Sequence, residues 1–167
     1  MDNPIKLNER DRLYSDAMRR SENGDHAAAV EALSMVTVRF PDHAKAWASL
    51  GDLLQYRFGD LDKAESCYVT AIEKDPVLVT AYTSYADVLM SRQRFAEANA
   101  MVNKALGLNG PGLDQALYKS GLFRESQSRF DEAVEAYRKA ILASFSDETI
   151  MACEKGIHRC EVKKKYR

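Results

Sequence analysis

Small side chains return along this chain at a nearly constant interval. Ala17, Gly51, Ala86 and Gly121 are separated by 34, 35 and 35 residues. Ala29, Ala64, Ala98 and Ala133 follow at 35, 34 and 35, and Val36, Ala71, Ala105 and Ala140 keep the same rhythm. A fourth series, Pro41, Pro76, Gly110 and Phe145, closes the units. A period of this size marks a repeat architecture, in which each unit buries its apolar face against its neighbours.

Each unit reads as two helices. Between Ala44 and Pro76, the residues Trp47, Leu50, Gly51 and Leu54 share one helical stripe. Gly59-Asp60 supplies a helix stop and a helix start. Ala64, Tyr68, Ala71 and Ile72 form a second stripe, and Pro76 ends it because proline disfavours helical geometry in the residue before it. Gly51 and Ala64 leave room for a neighbouring helix, and Trp47 and Tyr68 fill the space around that contact. The stretch resembles a tetratricopeptide repeat, whose pattern is W-x2-L-G-x2-Y, then A-x3-F, then P. Leu54 stands where that family usually has Tyr, and Tyr68 where it has Phe.

The resemblance implies an all-α fold, a right-handed α-solenoid of four helix pairs with a C-terminal capping helix. The expected divisions are a loose lead-in at 1–9, repeats at about 10–43, 44–78, 79–112 and 114–145, and a capping helix with a basic end at 146–167. The first helix is expected from Glu9 to Glu22. Repeat 2 carries one extra residue between Leu54 and Gly59, read as a tolerated insertion with Phe58 tucked under the turn. The alternative is a longer turn that projects Tyr56 or Phe58 at a binding rim. In the last helix Ile150, Cys153, Ile157 and Cys160 form the apolar face. Gly156 costs that helix ~1 kcal/mol relative to Ala, so it is expected to fray.

Composition excludes several functions. The formal charge of −1 does not fit a globally basic nucleic-acid binder, although residues 154–167 carry six bases against two acids. Cys67, Cys153 and Cys160 make no CxxC pair, and an odd count is a poor disulfide framework, so reduced thiols and a cytoplasmic location are expected. The first residues lack an apolar signal region, and no apolar run approaches the ~20 residues of a membrane helix. The sequence shows no phosphate loop, HExxH or GxSxG. His158 and Cys160 point about 200° apart on a helix, which cannot close a metal site with Cys153. No enzyme activity, metal or cofactor is expected.

The family instead implies binding of a protein or peptide on the concave face, lined by the first helix of each pair. Carried onto this chain, its positions give Tyr14 and Met18 in repeat 1, and Lys45, Asp52 and Gln55 in repeat 2. They give Thr83, Asp87 and Met90 in repeat 3, and Tyr118, Leu122 and Glu125 in repeat 4. With Asp11 and Glu22 this face has five acids and one base. Tyr14, Met18, Met90, Tyr118 and Leu122 are read as residues that repeat packing does not need. A ligand with basic and apolar residues follows, with Met18 and Leu122 flanking the Asp52–Asp87 row. A homo-oligomer, in which residues 163–167 of another copy fill that row, is the alternative.

Three family subgroups carry motifs that can be compared with this chain. The clamp for acidic chaperone tails requires cations, but its positions hold Tyr14, Met18, Ser49, Thr80 and Ser84. The asparagine ladder of repeat-bearing sugar transferases is replaced by Ser15, Ser49, Ser84 and Lys119. Repeat-built secretion chaperones have a similar size, without a motif that assigns the chain to them.

Overall fold

The structure, a computed structural model, describes residues 4–108 and 110–166, with side chains from residue 9 onward. These residues form helices and turns without strands. The helices are α1 (Pro4–Glu22), α2 (His26–Arg39), α3 (Ala44–Tyr56), α4 (Leu61–Lys74), α5 (Val79–Ser91), α6 (Phe95–Leu106), α7 (Leu113–Ser126), α8 (Phe130–Ala143) and α9 (Asp147–Lys165). Helix α1 begins at Pro4, ahead of Glu9, so part of the expected lead-in is helical.

Local chemistry fixes the turns. Within each pair the chain stops in the left-handed region, at Gly24 and Gly59 and, in repeats 3 and 4, at Gln93 and Ser128. Glycine takes that conformation without steric cost, whereas Gln93 and Ser128 adopt it with a Cβ present. Asp25 and Asp60 then cap α2 and α4 by accepting from the Ala28 and Lys63 amides at 3.2 and 3.1 Å. Ser146 caps α9 through the Thr149 amide. The longer turn of repeat 2 does not bury Phe58, which is 51% exposed; the expectation of a tucked side chain fails there.

Each first helix packs on its own second helix, and each second helix on the next first helix. The first helices α3, α5, α7 and α9 also touch in succession, forming one face of the solenoid. Within the pairs, the small residue of the first helix matches the size of what faces it. A Cβ on Gly51 would meet the Tyr68 ring at 2.8 Å, and one on Gly121 would meet the Tyr137 ring at 2.5 Å. In repeats 1 and 3 the equivalent residues are Ala17 and Ala86, which share clusters with the smaller Leu33 and Val102.

Helix α9 extends this scheme. Gly156 follows Gly121 by another 35 residues, and a Cβ there would lie 2.6 Å from the Tyr137 ring. The ring is therefore flanked by a glycine on α7 and a glycine on α9. The face that α9 buries is Thr149, Cys153, Gly156 and Cys160, with Ile157 packed partly against it. Gly156 is thus a packing requirement rather than a point of fraying.

Helix propensity alone would make Gly156→Ala stabilising by ~1 kcal/mol. The ring cannot retreat, because Gly121 backs it and its hydroxyl is bonded to Glu125. Gly156→Ala is therefore expected to lower stability by about 1–3 kcal/mol in denaturant unfolding. A more stable variant would show that the ring yields.

Candidate functional site

The face formed by the first helices, where the ligand positions were expected, is organised by tyrosine hydroxyls that cross between helices. Tyr68, on α4, passes over Gly51 and points its one hydroxyl proton between Asp52 at 2.7 Å and Gln55 Oε1 at 2.9 Å. Tyr56, at the end of α3, donates to Asp87 on α5 at 2.7 Å. Tyr137 repeats the Tyr68 arrangement in repeat 4, donating to Glu125 at 2.8 Å. In repeat 1, Tyr14 shares a hydrogen bond of 3.0 Å with Ser49 and sits 4.9 Å from the His43 ring. Burial of these phenols, with carboxylates beside them, pushes Tyr56, Tyr68 and Tyr137 well above the usual tyrosine range, so they act as donors at any ordinary pH.

The expected charge of this face is largely cancelled from within. Lys119 of α7 reaches Asp87. Glu125 is 8% exposed and accepts from Arg159 and Lys163 of α9 at 3.0 and 2.9 Å. It belongs to the seam between α7 and α9, not to an open groove. Burial raises its pKa, but the hydrogen bonds from Arg159, Lys163 and Tyr137 outweigh that effect and hold the carboxyl down at about 2. Asp52 behaves oppositely. Burial pushes its carboxyl up and the nearby Asp87 adds to this, against the pull of the Tyr68 and Ser84 hydroxyls.

Other expected positions also move inward. Thr83 is 5% exposed and donates to the Thr80 carbonyl. Tyr14, Met90, Tyr118 and Leu122 pack partly against the core clusters, so repeat packing does use them. Met18 and Gln55 are half-buried on the face, and Lys45 is exposed there. The basic tail is engaged within its own chain, Lys163 on Glu125 and Lys164 on Asp131; Arg167 lies outside the described residues.

Sequence reasoning missed Tyr68, Lys119 and Arg159 as groups that set this face. For Tyr68 a signal existed: tyrosine replaces phenylalanine in the two repeats that carry glycine opposite it. Lys119 and Arg159 meet acids 32 and 34 residues away, which periodicity does not reveal.

Burial pushes the Cys67 and Cys153 thiols up to about 11, leaving them protonated at neutral pH. Among the described residues, no three His, Cys, Asp or Glu side chains are grouped to hold a metal ion. No described helix is long and apolar enough to cross a membrane.

A tetratricopeptide repeat profile matches residues 14–76, 53–112 and 86–148. Over 101 residues the chain is 29% identical to the protein O-mannosyl-transferase Tmtc3 of Drosophila melanogaster, a match taking in 60% of this chain and 11% of that protein. Among solved structures, Pseudomonas aeruginosa pilF superposes with a TM-score of 0.81 over 94% of this chain and 69% of that one, at 18% identity. PilW, a type IV pilus biogenesis factor, superposes with a TM-score of 0.79 over 96% and 70%, at 20% identity. At such identities the structural likeness is one of fold.

The Glu125 cluster has a pH signature. Its folded pKa of about 2 lies below the ordinary 4.5. Between these values the unfolded chain holds the extra proton, so the contribution is complete above about pH 5 and fades as pH falls toward 2. Glu125→Gln is expected to cost about 1–3 kcal/mol near neutrality. The difference in melting temperature from wild type should shrink on acidification through that window, and a gap independent of pH would contradict the assignment.

Proposed function

This chain belongs to the tetratricopeptide repeat family, a protein-interaction scaffold, and we propose that it holds a peptide or helix of a partner protein on the part of its concave face formed by α1, α3 and α5. The observation that carries this reading is the fixing of Asp52, Gln55 and Asp87 by Tyr68 and Tyr56. Polar groups already held in place lose little conformational freedom when a ligand arrives, which favours binding. Met18 and the open edges of Tyr14 and Met90 provide apolar contact beside them.

The ligand this stretch suits is less basic than the residue count alone suggests. A Lys or Arg of the ligand would share Asp87 with Lys119, while Lys45 has no ionic partner among the described residues. Apolar anchors then supply most of the affinity, and charge mainly sets register. Self-assembly through the basic tail is the weaker reading, because Lys163 and Lys164 already have partners in their own chain. The transferase activity of Tmtc3 and the pilus role of PilW are not carried over, since one match spans a tenth of its relative and the other is a likeness of fold.

Capture experiments test the face. A Met18→Glu, Gln55→Arg double variant alters the concave side, and a Met35→Glu, Val38→Glu double variant alters exposed residues of α2. With all proteins equally stable, the α2 variant should retain the wild-type partners, and the concave variant should bind them at least about tenfold more weakly. Equal capture by both would overturn the proposal.

A further inference from the structure

The residue just before each later first helix stands at a junction between repeats. It is Leu78 before α5, Gly112 before α7 and Ser146 before α9, but His43 before α3. Leu78 packs on the apolar cluster of Ala48, Ala71 and Ala81. An ionisable ring therefore stands at the first junction and at none of the later three. Its Nε2 is closed to solvent and has no hydrogen-bond partner among the described residues. The Tyr14 ring of α1 lies against it, with centroids 4.9 Å apart and planes tilted by 54°.

A neutral imidazole tolerates such a place better than an imidazolium does. The charged ring carries two N–H donors, and burying one of them without an acceptor costs more than burying an unpaired neutral nitrogen. The surroundings widen the difference. Arg10 of α1 and Lys45 of α3 are cations facing the ring, and the acid facing it is Asp11 of α1. The Asp11 side chain is 61% exposed and already paired with Arg10 at 3.0 Å. Arg39 of α2 is turned to Glu9 at 2.8 Å, and Asp42, in the turn before the ring, to Lys74 at 3.1 Å. The ring also stands at the N-terminus of α3, where the helix dipole opposes positive charge. Burial, with Arg10 and Lys45, holds the imidazole below its ordinary 6.5 against the pull of Asp11.

We propose that His43 is a proton-operated latch, at which uptake of a proton releases α1 from α3. Tyr14 carries the contact that yields, since it lies on His43 and shares a hydrogen bond of 3.0 Å with Ser49. Among the described residues α1 lies less closely on α3 than the later first helices lie on one another, so this junction has the least else to hold it. Lifting α1 brings water to Nε2. The opened form takes up its proton near the ordinary 6.5, above the folded value, so the seating is complete above about pH 7.5 and weakens as pH falls. This window lies above that of Glu125, and the two ends of the solenoid respond to different acidities. Release withdraws Tyr14 and Met18 from the proposed ligand face. That consequence rests on the concave-face reading, whereas the acid response itself does not.

Hydrogen–deuterium exchange of the chain without ligand tests the latch, between about pH 8 and pH 5.5, with each rate divided by the intrinsic rate at that pH. Protection of the α1 amides should fall about three- to tenfold across this range, while that of α5 stays constant. In His43→Leu, which places there the residue found before α5, protection of α1 should not vary with pH. An NMR titration of the His43 ring in the wild-type chain should give a midpoint below the ordinary 6.5, and it does not depend on how the variant folds. Constant protection of α1 in the wild type, an equal fall in both proteins, or a His43 midpoint at or above 6.5 would overturn the inference. No ligand takes part, so these results leave the concave-face reading untouched, and failed capture of a partner at every pH would count against that reading alone.

Discussion

The contact on which the structure most depends is that of a tyrosine ring packed against a glycine where a side chain would otherwise stand. Two helices approach closely at Gly51 and Gly121 because no Cβ intervenes, and the Tyr68 and Tyr137 rings occupy the space. The interior is close-packed, so a methyl group cannot be added there without displacing the ring. Each ring also carries a hydroxyl that bonds a carboxylate of the first helix of its pair, Asp52 for Tyr68 and, in the seam with α9, Glu125 for Tyr137. The residue that sets the spacing of the pair is thus also the residue that orients a carboxylate beside it. A phenylalanine would satisfy the first demand and leave the second unmet.

Most of the architecture could be read from the sequence, because it rests on periodicity. The order of the helix pairs, the turns at Gly24 and Gly59 and the glycine–aromatic contacts all repeat at a fixed interval. Even α9 was in register, since Gly156 continues the series of Gly121, although helix propensity suggested a weak point. Propensity counts the backbone freedom of a glycine and is blind to a ring from another helix.

The proposed ligand face was less legible, for a physical reason. Which acids remain free depends on long flexible side chains that arrive from the next helix. Lys119 on Asp87, and Arg159 and Lys163 on Glu125, turned an apparently acidic groove into a nearly balanced one. Thr83 and Met90 stand at family ligand positions, yet Thr83 is buried with its hydroxyl on the Thr80 carbonyl and Met90 packs against the core. The second-repeat turn departed for the opposite reason: Phe58 stays half exposed, and Tyr56 donates its hydroxyl to Asp87. Position in a repeat says which way a residue starts out, and its neighbours decide where it ends.

The double-sided seating of Tyr137 bears on how the chain comes apart. A linear array of units normally loses its end unit first, each unit held by one boundary with its neighbour. Here the boundary between repeat 4 and α9 and the interior of repeat 4 share one ring, and Glu125 ties the same three helices. Losing α9 exposes one side of the ring and removes two cations from a buried carboxylate, so it loosens α7 and α8 together. The terminal helix and the last pair therefore behave as one cooperative block, and partial opening of this solenoid is directed to its other end, where Ala17 and Leu33 form no such link.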